Sequence, residues 1–198
     1  MITKKIAITG GIGSGKSTVL QYLKKMGYSV FSCDEISKKI SETPDYLQKI
    51  EHFFPETVKN GVIDRKELAR IVFQDENKRK ILNNISHPII MKTLLEEMSK
   101  IKQPVAFAEV PLLFEGNFEC LFDEVIVVCR DTDTRLNAVI TRDKLSEEEV
   151  KYRQQAQFDY DSAEGKTRIA ACGAYLFHNN SSLQTLEEEL KHFLSQII

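Results

Sequence analysis

Residues 5–17 read KIAITGGIGSGKS, and the order of features in that stretch decides the fold. Ile6, Ala7 and Ile8 form a short apolar run, the size of a buried parallel strand. Gly10–Ser17, GGIGSGKS, then match the pattern glycine, four residues, glycine, lysine, serine or threonine. Behind it Val19, Leu20, Leu23 and Met26 recur at helical spacing, and Gly27 stands where a helix stop is expected. Strand, glycine loop and helix are the three parts of a phosphate loop. The glycines let consecutive backbone N–H groups face phosphate oxygens, and the helix adds its positive N-terminal end. In such a loop Lys16 reaches the β- and γ-phosphates and the Ser17 hydroxyl ligates Mg²⁺. A similar ending at Gly165-Lys166-Thr167 has Tyr160 in place of the first glycine and no strand before it, so it reads as helix residues.

Working outward, a second strand at Tyr28–Phe31 ends in Ser32-Cys33-Asp34. Strand, helix and strand imply a parallel pair with a right-handed crossover. From about Glu35 to Gln103 the pattern is helical. Asp64 and Glu67 make a capping box ahead of Leu68, Ile71 and Val72, and Asp75–Lys80 reads as a solvated helix start. Separate helices are predicted over Lys80–Ile85 and Ile89–Ile101, punctuated by His87-Pro88. Strands return at Val105–Val110 and Val125–Cys129. A charged helical stretch spans Thr132–Ala171, with Ser146 and Glu149 as a second capping box. A strand at Tyr175–Phe177 and an amphipathic helix with Leu183, Leu186, Leu190, Phe193 and Leu194 close the chain. The expected fold class is α/β: a P-loop NTPase-type parallel sheet flanked by helices, with a helical substrate-binding insertion and a helical lid. The expected division is a core of residues 1–34, 104–131 and 172–198, an insertion of 35–103 and a lid of 132–171.

With 198 residues, the chain has enough length for one domain with a sizeable core. Apolar residues at 42% and charged residues at 28% exclude a disordered chain. A net charge of −2 gives no overall attraction for nucleic acid or an anionic membrane, so a polyanionic ligand must be held locally. No apolar run approaches the roughly 20 residues of a membrane span, and the IAI stretch is too short for a signal peptide. A cytoplasmic protein is expected. Cys33, Cys120, Cys129 and Cys172 show no metal spacing, and each lies in or near an apolar segment; buried free thiols are expected.

The fate of the γ-phosphate rests on other residues. Strand ends line the crevice of a parallel sheet, which sets Asp34 near the phosphates as a base or a holder of magnesium-bound water. Asp34 also precedes Glu35-Ile36-Ser37, which allows a helix N-cap, but its place beside the loop favours the catalytic reading. Glu109, ending VAFAEV, is either the acid that magnesium waters require or an ordinary strand-end carboxylate. A guanine-nucleotide switch would need Asn-Lys-x-Asp, and Asn77-Lys78-Arg79-Lys80 lacks the aspartate. Arg130, Arg135, Arg142, Arg153 and Arg168 populate the late charged segment, where phosphoryl transfer commonly takes its closing cations. These features point to a small ATP-dependent kinase.

TGGIGSGKST, the aspartate after strand two, NGVIDRKELARIVF, ISHPII, VPLLFE, TRDKLSEEEV with Gln157, and HNNSS together resemble the dephospho-CoA kinase family, from about Lys5 to past Ser182. The resemblance implies ATP-dependent phosphorylation of the ribose 3′-hydroxyl of dephospho-CoA, the final step of coenzyme A synthesis. It implies ATP and dephospho-CoA as small-molecule partners, Mg²⁺ as cofactor, and Asp34 as base with Lys16 and Arg142 beside it. Nucleotide would be bound by Gly11, Ile12, Gly13, Ser14, Gly15, Lys16, Ser17 and Thr18, with Ser17 on the metal. The acceptor would be bound by Asp34, Arg65 and His87, the last two being otherwise readable as a solvated first-turn residue and a capping or packed histidine. Three stretches depart from the family pattern. Ser32-Cys33-Asp34 stands for Asp-Ala-Asp, Arg135-Leu-Asn-Ala138 for Gln-x-x-Arg, and Gly173-Ala174 for Ala-Asp. A monomer is expected, without nucleic-acid or membrane partners. The rival readings are another P-loop kinase acting on a nucleoside or nucleotide, and a nucleotide-gated regulatory protein.

Overall fold

A computed structural model describes residues 3–131, 135, 139, 157–180 and 183–197. These divide into two compact units, one of residues 1–31 with 98–198 and the other of residues 32–97.

The first unit is built on a five-stranded sheet. β1 (Lys4–Thr9) lies at its centre, paired in parallel with β5 (Val105–Glu109) on one side and β6 (Glu124–Cys129) on the other. β6 pairs in parallel with β7 (Tyr175–His178). β2 (Ser29–Ser32) takes the opposite edge, beside β5. The expected pairing of the first two strands is therefore corrected, because β5 lies between them. Burial explains the order: Val105, Ala106, Phe107 and Ala108 are all buried, whereas every residue of β2 is only half-buried. A strand apolar on both faces goes to the interior of a parallel sheet, and the less apolar one goes to its edge.

Helix α1 (Lys16–Lys25) packs Val19, Leu20 and Leu23 into the same core as Ile6, Ile8, Phe107 and Ile126. It stops as expected, with the Gly27 N–H donating to the Lys24 carbonyl at 3.0 Å. Helix α7 (Leu183–Ile197) covers the sheet with Leu186, Leu190, Phe193 and Leu194. Each such side chain contributes on the order of 1.5–3 kcal/mol through burial. Helix α6 (Ala163–Ala171) is capped by Ser162, which accepts from the Gly165 N–H. The long helix expected over 132–171 does not reach α6 unbroken. Residues 157–162 are irregular, because the Asp159 carboxylate accepts from the N–H groups of Asp161 and Ser162 and turns the chain. Gly165-Lys166-Thr167 lie on α6, as expected. Ser146 and Glu149 lie outside the described residues.

The second unit contains α2 (Cys33–Ile40), α3 (Pro44–Phe53), α4 (Arg65–Gln74) and most of α5 (Glu76–Ser99). Asp64 caps α4 as expected by accepting from the Glu67 N–H at 3.1 Å. The Glu67 side chain does not complete the box; it binds Arg70 instead. Two findings differ from expectation. A small antiparallel hairpin, β3 (Val58–Lys59) with β4 (Val62–Ile63), turns through Asn60 and Gly61, both at positive φ. Also, α5 runs unbroken through Pro88 rather than ending at His87. Pro88 withdraws one N–H from the Asn84 carbonyl, but residue 84 is exposed and water can take that bond. Buried Met91, Leu94 and Met98 hold the following turns in place.

Candidate active site

The phosphate loop forms where the sequence places it, between the end of β1 and the start of α1. Gly15 is the N-cap of α1 at φ 94°, a left-handed conformation that costs a side-chain-bearing residue dearly. The first N–H groups of any helix lack intrahelical partners, so this end is electropositive and open to anions. Lys16 folds back along the loop, its ammonium donating to the carbonyls of Gly10 at 2.7 Å and Gly11 at 3.1 Å. Ser17 is exposed on the first turn, with Thr18 half-buried beside it. Ser14 is 1% exposed, and its hydroxyl has no hydrogen-bond partner among the described residues.

Several residues fasten this loop from outside it. The Asn179 side chain donates to the Ser14 carbonyl at 2.9 Å, while its backbone N–H donates to Cys129 at the end of β6. Gln157 accepts from the Ile12 N–H at 2.9 Å. The hydroxyls of Tyr160 and Thr9 are 2.9 Å apart. Burial drives the Tyr160 phenol far above its ordinary pKa, so it stays neutral. Phe158 stacks on Phe114, and the Arg168 guanidinium lies over both rings while binding Glu119 at 2.6 Å. A cavity of about 350 Å³ opens between the loop residues Gly11 and Ile12 and the segment 157–161, with Arg135 in its wall.

Neither Gln157 nor Asn179 was assigned a contact from the sequence, although both fall in the motif segments quoted above. Tyr160 carried no signal at all; an aromatic between two aspartates is visible as a loop anchor only once folded.

Asp34, Arg65 and His87 belong to the second unit. Asp34 lies in the first turn of α2 and is exposed. Its reading as the N-cap is corrected: Ser32 is the cap, its hydroxyl accepting from the Asp34 N–H at 3.2 Å. The Asp34 carboxylate is thereby left out of the cap. Arg65 and His87 line one cavity of about 280 Å³, together with Ser41, Tyr46 and Ser86. Arg65 donates to the Ser41 hydroxyl and, at 3.4 Å, to the Lys38 carbonyl. Tyr46 and Ser86 share a buried hydrogen bond of 2.8 Å. Burial lowers the His87 pKa and raises that of Tyr46, so both rings favour their neutral forms. Arg142 and Ala138 lie outside the described residues. Glu109 ends β5 as expected and is half-buried. Ala174 lines a further cavity with Arg130, Asp131, His178 and Asn180. No disulfide joins the cysteines among the described residues, and their expected burial is corrected: Cys33, Cys129 and Cys172 are half-buried and Cys120 is exposed.

The family model described as dephospho-CoA kinase matches residues 4–185. The chain belongs to the dephospho-CoA kinase family. It is 37% identical over 192 residues to the dephospho-CoA kinase of Thermus thermophilus, covering 97% of this chain and 91% of that protein. Against the Helicobacter pylori dephospho-CoA kinase the identity is 30% over 203 residues, covering all of both chains. A crystal structure of a Thermus thermophilus protein superposes with a TM-score of 0.84 at 36% identity, covering both chains in full. The dephospho-CoA kinase of Campylobacter jejuni gives 0.64 at 26%, covering 100% of this chain and 98% of that one. A shikimate kinase from Acinetobacter baumannii, at 16% identity and a TM-score of 0.58, covers 98% of this chain and 93% of its own; it shares the fold. The sheet and loop described above are thus those of P-loop kinases, and family membership extends over both units.

Proposed function

We propose that this chain transfers the γ-phosphoryl group of MgATP to the ribose 3′-hydroxyl of dephospho-CoA, completing coenzyme A synthesis. The observation that carries this reading is a fully formed phosphate loop in a chain whose family membership spans residues 4–185. In-line phosphoryl transfer depends chiefly on positioning and charge stabilisation, and the residues divide those tasks. Residues Gly11–Gly15 with the first turn of α1 hold the phosphates, and Lys16 leaves its loop carbonyls to pair with the β- and γ-phosphate oxygens. Arg142 supplies a second cation from the 132–171 segment, which serves as the lid.

Asp34 accepts the hydroxyl proton or orients the hydroxyl for attack; its exposed carboxylate, excluded from the helix cap, is available for that. Arg65 and His87 bind the acceptor in the 35–103 insertion, a role supported by their shared cavity. The exposed Ser17 hydroxyl suits Mg²⁺, a hard cation that takes oxygen ligands and keeps several waters. Bound there with the phosphates, Mg²⁺ would neutralise charge on the β- and γ-oxygens. No helix of the described residues is long and apolar enough to cross a membrane, and we assign the enzyme to the cytoplasm as a monomer.

The deciding experiment incubates the protein with MgATP and a panel of dephospho-CoA, nucleosides and nucleoside monophosphates, and follows coenzyme A and ADP. Coenzyme A formation is the expected result. Turnover on a nucleotide alone overturns the acceptor assignment, and ATP binding without any acceptor-dependent turnover points to a regulatory protein.

A further inference from the structure

Arg135 is 6% exposed, yet its charge is poorly compensated. Among the described residues the carboxylate it pairs with is Asp161, at 3.8 Å from Nη2, and the Asp161 side chain is 68% exposed. The Arg135 Nε is buried without a hydrogen-bond partner among the described residues. A buried cation needs a close counter-charge and filled donors, and a guanidinium presents five N–H groups. One long ion pair to a solvated carboxylate meets little of that requirement.

The guanidinium also has a specific seat. A Cβ built on Gly11 would lie 2.5 Å from Arg135 Nη1, and one built on Gly13 would lie 2.5 Å from the Arg135 carbonyl oxygen and 2.8 Å from its Cγ. The side chain therefore rests directly on the glycine turn of the phosphate loop. It forms part of the wall of the 350 Å³ cavity shared with Ile12, Gln157 and Tyr160. A buried, under-paired guanidinium against backbone that receives phosphates is suited to one kind of ligand, the anionic oxygens of a polyphosphate.

We infer that Arg135 is a further phosphate-binding cation of this chain, contacting the β- or γ-phosphate of the nucleotide in addition to Lys16 and the proposed Arg142. This rests on the reading of Gly10–Ser17 as the triphosphate site and not on the identity of the acceptor. Arg135 fills the position where the resembled pattern has glutamine, while Ala138 stands where that pattern has arginine. The positive charge is thus present in this chain three residues earlier, and the structure seats it on the loop. A guanidinium stacked on the base would serve affinity too, but the approach of Nη1 to Gly11 puts the guanidinium at the phosphate end.

The test measures ATP, ADP and AMP binding by calorimetry for the wild type, Arg135→Gln and Arg135→Lys, with Tm recorded for each. Loss of one charge-assisted contact predicts ATP affinity about ten- to a hundredfold weaker in Arg135→Gln, with AMP affinity changed severalfold at most. Arg135→Lys should fall between, keeping charge without the fork. Equal losses for ATP and AMP in both variants, or a Tm change with unchanged ATP affinity, would overturn the proposal in favour of a packing role. Wild type that does not bind ATP overturns the loop reading and this inference together. Wild type that binds ATP but makes no coenzyme A removes only the acceptor assignment, and the ATP-to-AMP comparison still decides the role of Arg135.

Discussion

The Tyr160 hydroxyl lies 2.9 Å from that of Thr9, joining a residue at the end of the central strand to one 151 positions later. Thr9 is wholly buried, and the phosphate loop begins at the next residue. The pair ties the loop's entry to the segment whose aromatic rings, Phe158 and Tyr160, pack on Phe114. Tyr160→Phe keeps the ring packing and leaves the Thr9 hydroxyl without this partner. An unsatisfied buried hydroxyl costs about 1–3 kcal/mol, so denaturant unfolding should show a loss of that order. Tyr160→Phe with Thr9→Val should recover part of it, because both partners are then apolar.

The cap of α1 gives a second prediction. Gly15 sits at φ 94°, and a Cβ there would collide with the Asn179 side-chain nitrogen, which donates to the Ser14 carbonyl. Gly15→Ala therefore combines backbone strain, on the order of 1–3 kcal/mol, with loss of the bond that anchors Ser14. Tm should fall, and ATP affinity measured by calorimetry should fall with it. Asn179→Ala removes the anchor without the strain and should give the smaller loss of each.

His87 makes stability depend on pH. Burial sets its folded pKa below the ordinary value of 6.5, so the folded ring resists a proton that the unfolded chain accepts. Its contribution is fully present above that ordinary value and is lost as pH falls toward the folded pKa. Between pH 7 and pH 5 the Tm should decline, and His87→Gln should flatten that decline by a measurable share. An identical slope in the variant would mean that another group drives it.

How much of this was legible beforehand depends on whether the signal was local. The loop at Gly10–Ser17, the Asp64 cap and the Gly27 stop each rest on a few neighbouring residues, and each formed where expected. The Asn60-Gly61 hairpin is equally local, but the helical periodicity on either side masks its turn signal. Placement of β5 between β1 and β2 was not local, since it depends on comparing how apolar three distant strands are. Pro88 misled because the rule concerns an average helix, whereas here the unpaired carbonyl belongs to an exposed residue and three buried side chains hold the next turns. The seat of Arg135 on Gly11 is least legible of all: the departure from Gln-x-x-Arg marks Arg135, but 124 positions separate it from Gly11 and nothing in the sequence pairs the two.

The start of α2 separates two roles that the sequence left entangled. Ser32 caps the helix and Asp34 does not, so the two residues should fail in different ways. Ser32→Ala should cost about 1 kcal/mol of stability, the usual loss of an N-cap, while kcat changes little. Asp34→Asn leaves the cap intact and should leave Tm close to wild type. If Asp34 serves the acceptor hydroxyl, kcat for coenzyme A formation should fall about 10²–10⁴-fold while ATP affinity stays within a factor of a few. The decisive quantity is the ratio of those two effects, because an aspartate that merely decorated the first turn would change neither. An unchanged kcat in Asp34→Asn would remove the base from the proposed site and leave phosphoryl transfer to positioning and cations alone.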